Sequence, residues 1–271
     1  MKRLNFLFAA MAACVGLASC GGNAVEPAIP VDPEIEKAVE NTLAGMTLEE
    51  KAALLQGWTT WTSFECKRLG IPAIFMSDGP TGLRKQAGAG DHLGLNASVP
   101  ATCFPTSATM ANTWDEELGV KLGEALGAEA AAENVHVVLG PGLNMKRSPL
   151  CGRNFEYFSE DPYLAGTMAV AISKGLSNAG VYCTVKHFMA NSQEWYRHTN
   201  DSVLSERAIR EIYARPFEIA IKDGAVKSIM TAYNAVNGYH AASNYDLTKT
   251  MLRDDWGYDG FVMTDWWASM N

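Results

Sequence analysis

The sequence predicts an α/β protein built on a parallel sheet, with a (β/α)8 barrel as the favoured architecture. Helical segments alternate with short strands along the 271 residues, and a glycine lies between most helices and the strand that follows. Strands joined by helices of this length pair in parallel, because a parallel neighbour requires a long crossover connection. The strands are almost entirely apolar, as expected when both faces of the sheet are covered. An open doubly wound sheet is the alternative architecture.

Composition and charge narrow the class of protein. The chain is 48% hydrophobic and 19% charged, which is typical of a globular domain with a sizeable core. Its 30 acidic and 22 basic side chains give a net charge of -8, and no basic run follows residue 3. Nucleic acid is therefore excluded as a partner, because phosphate binding requires clustered lysine and arginine.

The N-terminus has the features of a secretory signal. Lys2 and Arg3 precede the apolar stretch "FLFAAMAACVGLASC", which is too short to span a bilayer comfortably. Residues 17–20 (LASC) resemble a bacterial lipoprotein cleavage box, which predicts a lipidated Cys20 as the first residue of the mature chain. Ordinary cleavage with a free Cys20 is the alternative. We expect an exported lipoprotein of the bacterial periplasm or outer membrane and cell surface, with membrane contact only through Cys20.

A tether and one folded domain follow the signal at residues 1–20. Residues 21–34 contain glycine and three prolines without a periodic pattern, which predicts a linker, and the domain is assigned to residues 35–271. The remaining cysteines have no C-x-x-C spacing, so neither a zinc ribbon nor a redox pair is expected, whereas one disulfide and buried free thiols are both compatible with export. These cysteines are Cys66, Cys103, Cys151 and Cys183.

Start signals mark the first two helices of the domain. Residues 47–50 (TLEE) form a capping box, in which the threonine and glutamate side chains satisfy free backbone amides, and this helix is predicted to end near Gly57. Residues 113–116 (TWDE) predict a second capping box. Leu118, Leu122 and Leu126 follow it at four-residue spacing and predict one apolar helix face.

Three more helices are predicted in the second half of the chain. One begins at Asp161-Pro162 and ends near Gly180, with an apolar face formed by Leu164, Met168, Ile172 and Leu176. The next begins at Ser205, carries Ile209, Ile212 and Phe217, and stops at Gly224. The last covers residues 246–256 and ends at Gly257.

Polar side chains follow each predicted strand. They are Asp78 after "IFMS", Lys146 and Arg147 after "VVLGPGLN", Lys186 and His187 after "CTV", Tyr233 and Asn234 after "SIMTA", and Asp265 and Trp266 after "GFVMT". In a barrel the C-terminal strand ends form one face, where active sites are built. Because no glycine-rich nucleotide motif follows a strand, the TIM-like (β/α)8 barrel is preferred to the doubly wound sheet.

Carboxylates, cations and indoles on one face predict a sugar site. Charged partners bind sugar hydroxyls well, and aromatic side chains stack on the apolar faces of the ring. Each residue alone has a simpler interpretation: Asp265 as a helix cap, Lys186-His187 as an ion-paired strand end, and Arg153 as a partner of Glu156 or Glu160. No cofactor is expected. The five histidines lack ligand spacing, so no metal is expected either.

Six motifs resemble glycoside hydrolase family 3, the β-glucosidase and β-xylosidase family. They occur in the family's order and cover residues 35–271: "SDGPTGLR", "GRNFEYFSEDPYLAG", "VKHFMANSQE", "SERAIREIYARPFE", "IMTAYNAVNG" and "GFVMTDWWA". The resemblance implies that Asp265 is the catalytic nucleophile of a retaining hydrolase, with Thr264 replacing the serine of the family's S-D-W signature.

The resemblance also implies sugar-binding roles for other residues, and the expected substrate is an oligosaccharide, disaccharide or β-glucoside. The implied binding residues are Asp78, Arg84, Arg153, Lys186, His187, Arg197, Met230, Tyr233 and Trp266. We further expect the charges of Lys186, Arg153 and Arg197 to lower the pKa of Asp265 and keep it ionised.

The second carboxyl group of the mechanism stays open. Glu156, Glu160, Glu194 and Glu206 are candidates by type, whereas the family typically takes its acid/base from a second domain. The β-N-acetylhexosaminidase branch uses a histidine in a glycine-rich loop; His198 lies in this region, but "NSQE" follows the glucosidase pattern. We expect a chain that is incomplete at the C-terminus of the barrel, and alone weak or inactive.

Two further hypotheses differ in class from the hydrolase. The chain could be a non-catalytic sugar-binding remnant that retains Asp78, Lys186 and His187 without turnover. A purely structural barrel is the third hypothesis, but it leaves the polar groups at five strand ends unexplained. Within the family, β-xyloside and β-N-acetylhexosaminide remain alternatives to the β-glucoside.

Overall fold

The computed structural model describes residues 32–91, 95–224 and 226–268. The predicted signal segment with Cys20 and the tether up to residue 31 lie outside these ranges. Asp32 caps helix α1 (Pro33–Gly45) by accepting from the backbone N–H groups of Glu34 and Ile35. Residues 33–34 of the predicted tether therefore belong to this helix.

The main sheet has five parallel strands, each paired with the next along the chain. They are β1 (Met76–Asp78), β2 (Val137–Leu139), β3 (Tyr182–Phe188), β5 (Ser228–Thr231) and β8 (Phe261–Thr264). A doubly wound sheet reverses its strand order at a switch point, whereas a barrel keeps sequential order. The sequential order therefore favours the predicted barrel. A small second sheet is formed by β4 (Asp201–Ser202), β6 (Ala235–Val236) and β7 (Tyr239–His240).

Strand β2 is shorter than the predicted strand over residues 136–144. The bond between Gly140 and Pro141 is cis, and Pro141 has no N–H to donate to a neighbour. Pairing with β3 resumes beyond it, where the backbone N–H of Lys186 donates to the Pro141 carbonyl and that of Leu143 donates to Lys186. The segment after β2 therefore runs alongside β3 as far as the site residues. The Lys186–His187 and Phe188–Met189 peptide bonds are also cis.

Helices cover the outside of the sheet. They are α2 (Leu48–Leu54), α3 (Ser107–Ala111), α4 (Glu116–Ala132), α5 (Pro162–Asn178), α6 (Glu206–Ala208) and α7 (Arg215–Gly224). A side chain added at Gly123 of α4 or Gly175 of α5 would collide with the backbone of the other helix. These glycines therefore allow close packing of α4 on α5, and the buried side chains of α5 then cover β2 and β3.

Capping confirms the first predicted start signal and corrects the second. Thr47 and Glu50 form the predicted capping box of α2, which ends at Leu54 rather than near Gly57. Helix α4 is capped by Asp115, whose carboxylate accepts from the N–H of Leu118, so the capping box predicted at residues 113–116 is wrong. Thr113 instead accepts a hydrogen bond from the N–H of Asp115 with its hydroxyl. Asp115 takes the cap because it immediately precedes the first turn, where its carboxylate reaches the N–H of Leu118.

The helix predicted from Ser205 to Gly224 is interrupted. Ser205 caps α6 as expected, but a π-helical turn (Ile209–Tyr213) follows before α7 begins. Pro216 cannot donate to the previous turn, and the Ala214 N–H donates five residues back to Ile209. The last predicted helix is present as a π-helical segment, Asp246–Asp255. Helix α5 runs as predicted from Asp161, with Met168, Ile172 and Leu176 buried.

Cys66, Cys103, Cys151 and Cys183 are free thiols. Within the three described ranges, no helix combines the length and the apolar composition that crossing a membrane requires. In the same ranges, no three His, Cys, Asp or Glu side chains come together as a metal site.

Candidate active site

Asp78 ends strand β1 and is held by the loop that follows it. Its backbone carbonyl accepts from the N–H of Arg84, and its carboxylate Oδ2 lies 2.6 Å from the Arg84 guanidinium. Gly79 and Gly82 adopt φ values of +127° and +144°, and a side chain on Gly79 would collide with the Gly82 carbonyl. The turn therefore requires glycine, and it returns Arg84 to the strand end where Asp78 lies.

Lys186 is a buried cation between two carboxylates. Its Nζ lies 3.2 Å from Asp78 Oδ1 and 3.3 Å from Glu156 Oε1. Burial acts to raise the pKa of both carboxyl groups, but nearby cations outweigh it and hold both pKa values low. Lys186 acts on both groups, Arg84 also acts on Asp78, and Arg153 also acts on Glu156. Burial acts to lower the pKa of Lys186, and the two carboxylates outweigh it. All three groups are therefore charged at neutral pH.

Two arginines extend this network. Arg153 donates to both oxygens of Glu156, at 2.7 and 2.9 Å, and its Nε lies 4.0 Å from Glu194. Arg197 lies 2.8 Å from Glu194. The pairing of Arg153 with Glu156, which was the simpler interpretation of the sequence, is confirmed. Arg153 nevertheless belongs to the same network as the other site residues, because Glu156 also contacts Lys186.

His187 lies next to Asp265 and is buried. Its Nε2 is 3.7 Å from Asp265 Oδ2, and its Nδ1 is 3.2 Å from the Tyr157 hydroxyl. Burial, followed by the charges of Arg153 and Lys186, lowers the pKa of His187 well below its ordinary value. The imidazole is therefore neutral, and it contributes hydrogen bonding rather than charge.

Asp265 follows the last residue of β8 and is 8% exposed. The backbone N–H of Trp266 donates to its Oδ1 at 2.8 Å. The prediction that Lys186, Arg153 and Arg197 keep the pKa of Asp265 low is wrong in its net result. Burial raises the pKa above its ordinary value, although these three cations and the Trp266 N–H act in the opposite direction. Burial is the larger effect because none of the three cations forms an ion pair with Asp265 in the described part of the chain.

Aromatic and apolar side chains lie beside the carboxylate. The Trp266 indole N–H donates to the Thr60 carbonyl at 3.0 Å, and its ring centroid is 5.4 Å from that of Trp61. Met230 is buried against Trp61 and the neighbouring Trp266. This arrangement supplies the apolar surface that a sugar ring face requires.

Tyr233 lies between the nucleophile candidate and two side chains of the loop after β3. Arg197 stacks over its ring at 4.4 Å, and the imidazole of His198 lies 4.3 Å from the ring centroid. Burial and the nearby negative charge of Asp265 raise the pKa of Tyr233. Tyr233 therefore stays protonated and faces Asp265 as a hydroxyl.

The structure thus brings together all ten predicted site residues that it describes, as one connected cluster. Lys146 and Arg147, which also follow a strand, are different. They line another cleft together with Asn154 and Glu160, and Arg147 stacks over Tyr213. Their position after a strand was therefore not sufficient to place them in the Asp265 cluster.

Three residues of the cluster were not identified from the sequence. Asn144 and Tyr157 contact His187, and Trp61 packs on Trp266. Asn144 could have been found by the same rule as the others, since it ends the predicted strand "HVVLGPGLN". Tyr157 and Trp61 lie in loops, where no periodicity indicates the direction of a side chain.

The arrangement combines charged hydrogen-bonding groups with an indole surface around the Asp265 carboxylate, which no lysine or arginine of the described residues pairs with. Comparison with known proteins finds a matching family and similar structures. The model of the "Glycosyl hydrolase family 3 N terminal domain" matches residues 34–271. Thermostable beta-glucosidase B of Acetivibrio thermocellus is 50% identical over 230 residues, which are 85% of this chain and 30% of that protein.

Two further relatives have similar coverage. An Exo-alpha-(1->6)-L-arabinopyranosidase of Bifidobacterium longum is 49% identical over 82% of this chain and 30% of its own length. The structure of beta-glucosidase from Kluyveromyces marxianus in complex with glucose superposes with a TM-score of 0.80 at 43% identity, covering 85% of this chain and 27% of that one. The chain thus spans about a third or less of the length of these relatives. The similarity confirms the TIM-like α/β barrel fold.

Proposed function

Because this chain belongs to glycoside hydrolase family 3, we propose that it carries the sugar-binding site and the nucleophile of a retaining β-glycosidase, with Asp265 as the nucleophile. The Asp265 carboxylate attacks the anomeric carbon and forms a covalent glycosyl-enzyme while the leaving oxygen takes a proton from an acid. Water then hydrolyses this intermediate, so the anomeric configuration is retained.

One observation supports Asp265 over the other carboxylates of the cluster. Asp78 is bound to Arg84 and Lys186, Glu156 to Arg153 and Lys186, and Glu194 to Arg197. In the described ranges, Asp265 has no ion pair with a lysine or arginine. Its Oδ1 accepts from the Trp266 backbone N–H, but no lysine or arginine of the described ranges occupies the lone pairs that a nucleophile needs.

The other cluster residues are proposed to bind the glycosyl unit. Asp78 accepts hydrogen bonds from sugar hydroxyls, whereas Lys186, Arg153 and Arg197 donate them. Arg84 orients Asp78. His187 and Tyr233 contact hydroxyls near the anomeric carbon. Met230 and Trp266 contact the ring.

The general acid/base is proposed to come from sequence outside this chain. Glu156 is buried with its pKa held low by Lys186 and Arg153, which is the opposite of what a proton donor needs. Glu194 is paired with Arg197, Glu206 with Arg210, and Glu160 lines the separate cleft with Lys146. His198 stacks on Tyr233 and is not proposed as an acid. The relatives are about three times as long as this chain, which supports an outside source.

The proposed substrate is a terminal β-linked glucosyl residue, since relatives of the chain are named beta-glucosidases. A pentopyranoside is the second candidate, because a relative at 49% identity is named an arabinopyranosidase. A β-xyloside differs from a β-glucoside only by the missing hydroxymethyl group, whereas an α-L-arabinopyranoside differs in addition by the configuration at C4. A panel of 4-nitrophenyl β-glucoside, β-xyloside, β-N-acetylglucosaminide and α-L-arabinopyranoside, ranked by kcat/KM for the full-length protein, tests this assignment; the β-glucoside is expected first.

Export and lipidation at Cys20 are proposed from residues 1–20. Expression of the full-length protein in a bacterium, followed by labelling with an alkyne fatty acid, should give a labelled membrane fraction. Cys20→Ala should abolish the label. An unlabelled wild-type protein would contradict the lipid anchor, and retention in the cytoplasm would contradict export.

The stereochemistry of the reaction tests the proposed mechanism. Proton NMR of the full-length protein with a β-glucoside should show β-glucose as the first product, and Asp265→Ala should abolish turnover. Asp259→Ala, a change at an exposed carboxylate just before β8, serves as the matched control. An α-anomeric first product would contradict the retaining mechanism. Glucose binding without turnover in the wild-type protein would instead favour the sugar-binding remnant.

A further inference from the structure

A buried group of neutral polar side chains surrounds the ring of His187. Asn144, Tyr157, His187 and Asn191 are each no more than 1% exposed. Groups buried to this degree are shielded from bulk solvent, and a buried donor without an acceptor is unfavourable. The hydrogen bonds of this group therefore determine which ring nitrogen of His187 carries the proton.

The amide of Asn144 has a fixed orientation. Its Nδ2 donates to the His187 carbonyl at 2.8 Å, and its Oδ1 accepts from the His187 backbone N–H at 2.9 Å. The same Oδ1 lies 3.3 Å from His187 Nδ1, which is a longer contact than the one to the backbone. Asn144 Oδ1 is thus already satisfied by the backbone N–H of His187, so it does not require a proton on His187 Nδ1.

The amide of Asn191 is fixed as well. Its Nδ2 donates to Glu194 Oε1 at 3.0 Å, and it lies 3.5 Å from the Tyr157 hydroxyl oxygen. Exchanging the amide oxygen and nitrogen would place two acceptors face to face at Glu194. Asn191 therefore offers the Tyr157 hydroxyl a donor and not an acceptor.

The hydroxyl hydrogen of Tyr157 then has one acceptor in the described part of the chain, namely His187 Nδ1 at 3.2 Å. If Nδ1 carried the proton, Tyr157 would be left with a buried O–H that has no acceptor, which is unfavourable. Nε2 would also direct a lone pair at the carboxylate of Asp265, 3.7 Å away. Both penalties disappear when the proton is on Nε2.

We propose that Tyr157 is a positioning residue, whose hydroxyl donates to Nδ1 and holds His187 in the tautomer that carries its proton on Nε2. Asn191 supports it by donating to the Tyr157 oxygen. His187 then directs an N–H at the Asp265 carboxylate and at the adjoining sugar position. The effect on catalysis rests on the proposed function, whereas the tautomer itself does not.

The protonation states of both rings agree with this geometry. Burial raises the pKa of Tyr157 well above its ordinary value, so the hydroxyl keeps its hydrogen. Burial and the nearby charges of Arg153 and Lys186 lower the pKa of His187 well below its ordinary value, so one ring nitrogen lacks a proton. A donor and an acceptor therefore face each other across the Tyr157–His187 contact.

Neutron diffraction from crystals of the full-length wild-type protein tests the tautomer directly. Deuterium is expected on Nε2 of His187 and on the Tyr157 hydroxyl, with Nδ1 bare. Deuterium on Nδ1 would overturn the proposal. This readout does not require activity, so it stays informative even if the protein hydrolyses no glycoside.

Tyr157→Phe tests the consequence for the reaction, because it removes only the hydroxyl. Asn144 Oδ1 is then the polar neighbour of Nδ1, so the proton is expected to move to Nδ1 in the neutron map. The loss of the N–H directed at the site should lower kcat/KM by about 10- to 100-fold, the range for one hydrogen bond to a charged group. Tyr163→Phe, at an exposed tyrosine of α5, should change neither readout. Unchanged kcat/KM in Tyr157→Phe, with deuterium still on Nε2, would overturn the positioning role.

Discussion

Lys186 Nζ lies 3.2 Å from Asp78 Oδ1, and this ion pair joins the ends of two strands that are separated by β2. Glu156, from the loop after β2, contacts the same ammonium at 3.3 Å. Asp78 of β1 and Glu156 of the loop after β2 thus converge on the buried cation of β3. The network holds the side chains that are proposed to bind the sugar in place before any ligand is bound.

Glu156→Gln should destabilise the protein, because it removes a negative charge that balances the buried positive charges of Arg153 and Lys186. Removing one partner of a buried ion pair costs about 3–5 kcal/mol, which corresponds to a fall in the apparent melting temperature of about 6–20 °C for a domain of this size. Differential scanning calorimetry of the full-length protein measures this change.

Glu211→Gln is the matched control for Glu156→Gln, because Glu211 pairs with Arg207 on the exposed surface. Such a pair contributes about 0–1 kcal/mol. Equal melting temperatures for the two variants would show that burial of the Glu156 pair has no energetic effect.

Lys186→Met should move the acid limb of the kcat/KM profile to higher pH. As the proposed nucleophile, Asp265 must be ionised to attack. Burial already raises its pKa, and Lys186 is the cation that opposes this rise most strongly. Its removal raises the pKa of Asp265 further, so the variant loses activity at a pH where the wild type is active. Lys249→Met, at an exposed lysine paired with Asp254, should leave the profile in place. An acid limb that stays fixed or moves to lower pH would contradict the electrostatic account of Asp265.

Acid should destabilise the protein through His187. Its folded-state pKa is well below the unfolded value of about 6.5, so the unfolded chain binds a proton that the native state does not. The contribution of His187 to stability is therefore present above about pH 6.5 and declines as the pH falls below that value. Asp78 and Glu156, whose folded pKa values are low, add a similar loss at more acidic pH.

Melting temperatures measured between pH 8 and pH 5 test this pH dependence. His187→Gln should flatten the decline relative to wild type, even if it lowers stability overall. An identical slope in wild type and variant would show that His187 titrates normally in the folded protein.

Gly79→Ala should abolish sugar binding at the Asp78 position. A methyl group at Gly79 meets the Gly82 carbonyl, and the φ of +127° is unfavourable for any L side chain, so the turn that returns Arg84 to Asp78 cannot form. Gly88→Ala is the control, because open space surrounds the added methyl group there. Isothermal titration with glucose should detect binding to wild type and Gly88→Ala but not to Gly79→Ala; equal binding by all three would contradict the role of this turn.

Much of the barrel was predictable from the sequence, because its signals are local. Alternating helices and apolar strands predicted the sequential parallel order, and the polar residues after the strands predicted that Asp78, Lys186 and Asp265 lie together. These features depend on the periodicity of the apolar residues, on composition and on the geometry of parallel strands. The interruption at Ile209–Tyr213 was missed, although Pro216 was visible in the sequence as its cause.

The electrostatics of the site were not predictable in the same way. Burial raises the pKa of Asp265, and three cations lower it by an amount that depends on their distances. Burial and distances are both properties of the folded chain. Glu156 was one of four acidic candidates by type, and its contact with Lys186 and Arg153 decides its role. Tyr157 lies in a loop, and its relation to His187 follows from packing that no motif in the sequence describes.

A mechanism-based trap identifies the nucleophile by attaching a label to it covalently. The full-length protein is incubated with a 2-deoxy-2-fluoro-β-glucoside that carries a good leaving group, digested and analysed by mass spectrometry. We predict one covalent 2-deoxy-2-fluoroglucosyl adduct on the Asp265 carboxylate and none in Asp265→Ala. A label on any other residue, or full hydrolysis by Asp265→Ala, would contradict the account.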